Sequence, residues 1–301
     1  MSLPTVVISS PGGETAADFV PGANLLCCSL RHHGEELLDP GHGVEAYAEQ
    51  GKTMGIPLLY PWANRLSHAG YEVAGRMVTL PAGESGTRYP VDPNGLPIHG
   101  AIPGGIVWEA EANGDRLAAA VAWEADDLLE LFPFRHRVSV EASVDESGLT
   151  LTTTVHADAG DPVPVAFGYH PYLRLPGSSR EGWRVDLGAT RRIVLDERMI
   201  PTGERVELAE RDFLLGERSL DDGLADLMTP ARFRVSDGER SLSASFGSGY
   251  DWAQVYAPPG HDFICFEPMT APTDALNSHD GLRVLKPGEA HAARFRLAVT
   301  P

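Results

Sequence analysis

Cysteine is scarce. The 301-residue chain has only Cys27, Cys28 and Cys265, too few and too odd a number for a disulfide framework. Two of them are adjacent in an apolar run, so buried free thiols in a reducing compartment are expected. Positive charge is scarce as well. Lys and Arg number 24 against 42 Asp and Glu, a net charge of −18. That balance argues against a nucleic-acid partner, whose phosphates need many basic contacts, and against an anionic membrane surface. A few local arginines could still hold a small anion. No run of about 18 apolar residues occurs, so no transmembrane helix is expected. Met1 to Val20 lacks a basic stretch followed by an apolar one, so no signal peptide is read there and the cytoplasm is the expected location. Long amphipathic helices, low-complexity tracts and repeats of fixed period are missing too.

What the chain does have is strands and turns. Apolar and β-branched runs of roughly four to ten residues recur from Thr5–Ser9 to His291–Val299. The clearest are Arg135–Val144 and Leu149–Ala157, which alternate polar and apolar residues. The Glu146–Gly148 turn between them predicts a hairpin. Gly (32) and Pro (24) separate the runs at short spacing. Short helices are expected at Glu45–Gly51, Asp274–Asn277 and Ser219–Met228. No linker divides the chain. The pattern predicts one all-β, antiparallel, sandwich-like domain over residues 1–301 with long functional loops. At this length its core needs no covalent staples.

Four segments are poorly explained by structure alone. In Gly55–Gly70, Asn64 and Arg65 follow an aromatic, proline-bounded stretch. An arginine fork suits sugar hydroxyls or a carboxylate, although a salt-bridged surface arginine is as good a reading. In "GLPIHGAI", His99 precedes Gly100 on a turn that brings it close to a neighbour, and a capped turn histidine is the plainer reading. In "PVAFGYHPYLRLPG", His170 lies among Tyr169, Pro171 and Tyr172. The rings offer a partly dry pocket and a platform for the apolar face of a pyranose, and imidazole exchanges protons near neutral pH. A core histidine is the commoner case. In "DFICFEPMTAPTDALN", Glu267 ends the apolar strand Phe263–Phe266. A carboxylate on such a rim is desolvated and its pKa rises toward that of a useful base; a solvent-facing strand end is the alternative.

Together, "PWANRL", "LPIHG", "GYHPYLRL", "LDERMIPTGE" and "FEPMTAPTDALN" resemble the galactose mutarotase or aldose 1-epimerase family, in family order and from roughly residue 20 to the C-terminus. The resemblance implies a large antiparallel β-supersandwich and interconversion of sugar anomers without cofactor or metal. It implies His170 as the general acid toward the ring oxygen and Glu267 as the general base toward the C1 hydroxyl. It implies Arg65 and His99 as substrate-binding residues, Asn64 as a neighbouring pocket residue, and a sugar-binding aspartate in "LDDGLADL", with Asp221 the choice and Asp222 the near alternative. The expected partner is a small-molecule sugar, bound by a monomer or homodimer.

The sequence departs from the galactose-specific pattern at "LLYPWANRL". Arg65, Arg174 and Arg88 are candidates for holding a phosphate or sulfonate on the sugar. A non-catalytic sugar binder on the same fold is a second reading. A metal site built from His99, His170 and Glu267 is a third, with ligands of suitable type but no short ligand spacing. His32–His33, His261 and His291 carry no motif and are read as surface or loop residues.

Overall fold

The computed structural model describes residues 3–81 and 88–300; Met1 and Ser2, part of the segment searched for a signal peptide, lie outside them. Extended strand structure makes up about half of the described residues. The α-helices among the described residues are Val44–Gln50, Asp126–Leu131 and Ala275–Ser278. None is long and apolar enough to cross a membrane. The first and third match the sequence reading. The second was not foreseen.

Two large sheets dominate. The nine-stranded sheet runs, in spatial order, Asp212–Leu214, Arg184–Asp186, Ala231–Ser236, Ser241–Phe246, Ala290–Thr300, Gly148–His156, His136–Asp145, Arg116–Trp123 and Glu109–Asn113. The eight-stranded sheet runs Pro201–Glu207, Ala189–Leu195, Leu220–Leu227, Trp252–Ala257, Ile264–Met269, Gly168–Tyr169 and Leu58–Leu59, with Tyr172–Leu173 paired off this path to Ile264–Met269. Strand partners in both sheets are antiparallel, as the alternating runs predict. In His136–Asp145, every second side chain from His136 to Val144 is buried.

The expected hairpin forms, with Asp145 opposite Gly148. Gly148 owes its identity to a third strand. A Cβ there would lie 2.0 Å from the Leu297 carbonyl oxygen, so only glycine lets Ala290–Thr300 approach.

The sheets pack face to face. Val138, Val140, Leu151, Phe233 and Phe295 of the first meet Leu224, Ala253, Val255, Ile264 and Phe266 of the second in one core. The Phe233 and Phe266 ring centroids lie 5.7 Å apart across the seam. Each fully buried ring of this kind contributes about 1.5–3 kcal/mol. The other face of the eight-stranded sheet is covered by loops, and there the polar side chains gather.

One expectation is overturned. Ser219–Met228 does not form a helix; Leu220–Leu227 is a central strand. Leu220, Leu224 and Leu227 have helical spacing, which misleads a local reading. Pairing with Ala189–Leu195 on one side and Trp252–Ala257 on the other decides the outcome. Gly223 in its middle is a weak helix former. His291 is also not a loop residue, for it lies within the Ala290–Thr300 strand.

Candidate active site

The floor of the site follows from strand register. Gly223, Gln254 and Glu267 stand in one row across three strands. Asp221, Tyr256, Cys265 and Tyr172 stand in the next. Residues in register, or two apart along a strand, share a face, so these side chains point together, away from the sandwich core. Gly223 leaves room among them; a Cβ there would sit 3.4 Å from Gln254 Oε1. Gln254 reaches diagonally and donates to Asp221 Oδ1 at 2.6 Å.

Glu267 is 1% exposed. It does not end a strand, as expected, but lies inside Ile264–Met269, which is buried along its whole length. The chain alternates there. Ile264 and Phe266 face the core, while Cys265 and Glu267 face the loops.

His170 sits between the short strands Gly168–Tyr169 and Tyr172–Leu173, with its backbone N–H donating to the Pro57 carbonyl at 3.2 Å. Its ring stacks on Tyr172, centroids 4.5 Å apart and planes 9° apart. It meets His99 and Tyr256 edge-on. Its Nε2 lies 3.4 Å from Glu267 Oε1. Tyr172 therefore braces His170, and its hydroxyl is 2.6 Å from Thr53 Oγ1. The half-buried aromatic ring left over the cavity is Tyr256, not Tyr172.

Two tight loops bring the remaining groups. Asn64 and His99 both adopt left-handed backbone conformations, φ 58° and 62°, and the His99 N–H donates to the Asn64 carbonyl at 3.0 Å. Gly100 is required to turn the chain here. Its φ is +75°, and a Cβ would lie 2.1 Å from the Tyr60 carbonyl oxygen. Such strained positions in non-glycine residues concentrate at functional sites.

Arg65 is held from several sides. Its Nε donates to Asp92 Oδ2 at 2.8 Å and its Nη1 to Asn64 Oδ1 at 3.1 Å, while its Nη2 lies 3.8 Å from Asp221 Oδ2. Asp274, in the "TAPTDALN" segment, supports the same loop. Its N–H donates to the Arg65 carbonyl and its Oδ1 accepts from the Ser67 N–H.

These residues enclose a cavity of about 190 Å³, well below the roughly 300–1,000 Å³ typical of drug-sized ligands. His170, Glu267, Arg65, His99, Asp221, Asn64 and Tyr172, singled out from sequence, all line it. Asp222 does not. It faces the other side of its strand and pairs with Arg192. Arg88 is elsewhere, paired with Asp127, and Arg174 is not in the lining. The sequence reading missed Thr53, Ile98, Gln254 and Tyr256, which also line it. A larger hollow of about 540 Å³ lies over the edge of the nine-stranded sheet beside Glu111, Arg116 and Glu141. Among the described residues, its walls contain no buried polar atom lacking a partner.

The cavity walls do. Among the described residues, His99 Nδ1, His170 Nδ1 and Glu267 Oε2 are buried without a hydrogen-bond partner. Buried polar groups are normally satisfied, so three unpartnered atoms on the residues of one cavity set these walls apart. Burial pushes the Glu267 carboxyl well above its usual range, Asp221 adds to this, and Arg65 only partly opposes it. Burial pushes His170 down to about 3. It also pushes His99 well down, reinforced by His170 and Arg65. Asp221 is raised by burial, against the pull of Arg65 and Gln254. Paired groups with displaced pKa values in a cleft are the arrangement expected for proton transfer. No group of three or more His, Cys, Asp or Glu side chains among the described residues is arranged to hold a metal ion.

The chain has clear relatives. The aldose 1-epimerase family model matches residues 4–298. The uncharacterized protein YihR of Escherichia coli K12 is 25% identical over 301 residues, covering 96% of this chain and 92% of that protein. The Slr1438 protein of Synechocystis sp. PCC 6803 superposes with a TM-score of 0.80 at 20% identity, covering 100% of this chain and 96% of that one. A galactose mutarotase-like protein of Clostridium acetobutylicum does so with 0.80 at 18% identity, covering 96% and 93%. At these identities the two solved structures speak for the fold alone.

Proposed function

The chain belongs to the aldose 1-epimerase family, and from that premise we propose that it interconverts the α and β anomers of a neutral hexose, with His170 and Glu267 moving the protons. The observation that carries this reading is the His170–Glu267 pair, 3.4 Å apart on the floor of a small polar cavity.

Anomerisation needs one proton delivered to the ring oxygen and one removed from the C1 hydroxyl. The C1–O5 bond then breaks, the aldehyde turns about C1–C2, and closure reverses both transfers. An acid and a base held at two neighbouring oxygens suffice. In this reading His170 gives its proton to the ring oxygen and Glu267 takes the hydroxyl proton. Burial disfavours the charged form of each group. The form that reacts in this reading has His170 protonated and Glu267 ionised, and the pH dependence belongs to the pair.

Arg65, His99, Asn64, Asp221 and Gln254 supply donors and acceptors for ring hydroxyls. Tyr256 supplies an apolar ring surface for the pyranose. The preference for a neutral sugar rests on charge. Arg65 is the one permanently cationic side chain among the described lining residues, and two carboxylates already face it. A phosphate or sulfonate calls for uncompensated arginines.

The test is anomer exchange by NMR saturation transfer or polarimetry with glucose, galactose and a hexose 6-phosphate. Acceleration of a neutral sugar, and weaker or no acceleration of the phosphate, is expected. No acceleration of any sugar despite binding would leave a sugar-binding protein and overturn the proposal.

A further inference from the structure

Resting on the proposed function, we infer that Asp92 is a positioning residue: it orients the Arg65 guanidinium so that its Nη2 edge faces the sugar. Nothing in the sequence draws attention to it, since "VDPNGLP" reads as an ordinary turn. Its side chain is 2% exposed, and it does not line the cavity. Buried carboxylates are rare unless fully paired. This one is paired on both oxygens. Oδ1 accepts the N–H groups of Asn94 and Leu96, both at 2.9 Å, and Oδ2 accepts Arg65 Nε–H at 2.8 Å. Burial pushes its pKa up, but the hydrogen bonds from Leu96, Arg65 and Asn94 and the charge of Arg65 together outweigh burial and hold it below the usual range.

The geometry gives each part of the arginine fork a separate partner. Nε is taken by Asp92 and Nη1 by Asn64. Nη2 has the looser neighbour, Asp221 at 3.8 Å, and is the donor left for a ligand. An arginine side chain has several rotatable bonds, and freezing them costs entropy at each binding event. A buried carboxylate fixed by two backbone N–H groups meets that cost on folding. The same turn leads directly into His99, and Arg65 and Ile98 are bridged through their backbones. One loop therefore carries one binding group and sets the direction of another.

Asp92→Asn separates this role from a structural one. Asn keeps the oxygen that accepts from Asn94 and Leu96, while its amide confronts Arg65 Nε–H donor to donor. Loss of this charge-assisted bond is expected to raise KM about tenfold with kcat nearly unchanged. In an Arg65→Met background the same change should add nothing further. An unchanged KM, or the same rise in both backgrounds, would overturn the inference.

A second measurement does not depend on turnover. By ¹⁵N NMR of the unaltered protein, Arg65 Nε–H should exchange slowly with water, and faster in Asp92→Asn. Exchange as fast as that of exposed arginines would also overturn it. Should no sugar be epimerised while this protection is present and lost in Asp92→Asn, the proposed function fails and the clamp stands.

Discussion

His170 Nε2 faces Glu267 Oε1 across 3.4 Å, and each partner keeps a second polar atom buried and unmatched, Nδ1 on one and Oε2 on the other. The side chains meet each other at one end, and both line the same cavity. That geometry suits a proton passed between two oxygens of a hemiacetal.

Removing either member should stop the chemistry and spare binding. Glu267→Gln and His170→Asn are each expected to lower kcat by about 10²–10⁴, the usual worth of general acid–base catalysis. Sugar affinity by titration calorimetry should change by less than about tenfold. Equal losses of affinity and rate would instead mark these residues as binders.

The pair should also set opposite pH trends in stability. A carboxyl raised on folding stabilises least at high pH, because the folded state holds its proton more tightly than the unfolded chain. The unfavourable effect of Glu267 therefore grows as pH rises above the ordinary carboxylate value. Glu267→Gln should raise Tm relative to the unaltered protein, and by more at pH 8 than at pH 5. His170 is lowered to about 3, so its unfavourable effect grows as pH falls below about 6.5. His170→Asn should gain most at pH 4–5. Calorimetry resolves this, since about 1 kcal/mol moves Tm by about 2–4 °C.

Asp221 and Asp222 are neighbours on opposite faces of one strand. Asp221→Asn should raise KM by about tenfold or more through loss of an ordered acceptor in the cavity. Asp222→Asn breaks only a surface pair with Arg192 and should leave KM and Tm nearly unchanged. Steady-state kinetics of the two variants decide between them.

Gly100 should tolerate no side chain. Gly100→Ala meets both a φ of +75° and the Tyr60 carbonyl. The backbone conformation alone costs about 1–3 kcal/mol, and relief of the contact must displace His99. A lower Tm together with a raised KM is expected. A lower Tm with unchanged kinetics would show that His99 does not depend on this turn.

Much of this was legible in the sequence because it was local. Alternation in Arg135–Val144 and Leu149–Ala157 revealed strands, and the aromatic setting of His170 and the glycine after His99 marked real loops of the site. The rest depended on what lies across the sheet. Gln254 in "WAQVYA" means little until register sets it between Gly223 and Glu267. Asp221 and Asp222 match the family resemblance almost equally well, and only the strand separates them, because it places adjacent residues on opposite faces. Glu267 seemed to end its strand because Pro268 follows it. Tyr172 looked like an open platform because sequence does not show that His170 covers it.

The position of the cavity outside the sandwich has a bearing on how such a protein can be altered. Phe266 and Glu267 are chain neighbours, yet one belongs to the seam between the sheets and the other to the cavity. The loops that carry Arg65, His99 and Thr53 lie over a floor whose underside is already packed. The same loops also feed the core, however, for Tyr60, Trp62 and Leu66 beside Arg65 and Ala101 beyond His99 are buried in that cluster. Sugar preference is therefore expected to change at least cost in stability through single cavity-facing side chains, whereas exchange of a whole loop should lower Tm.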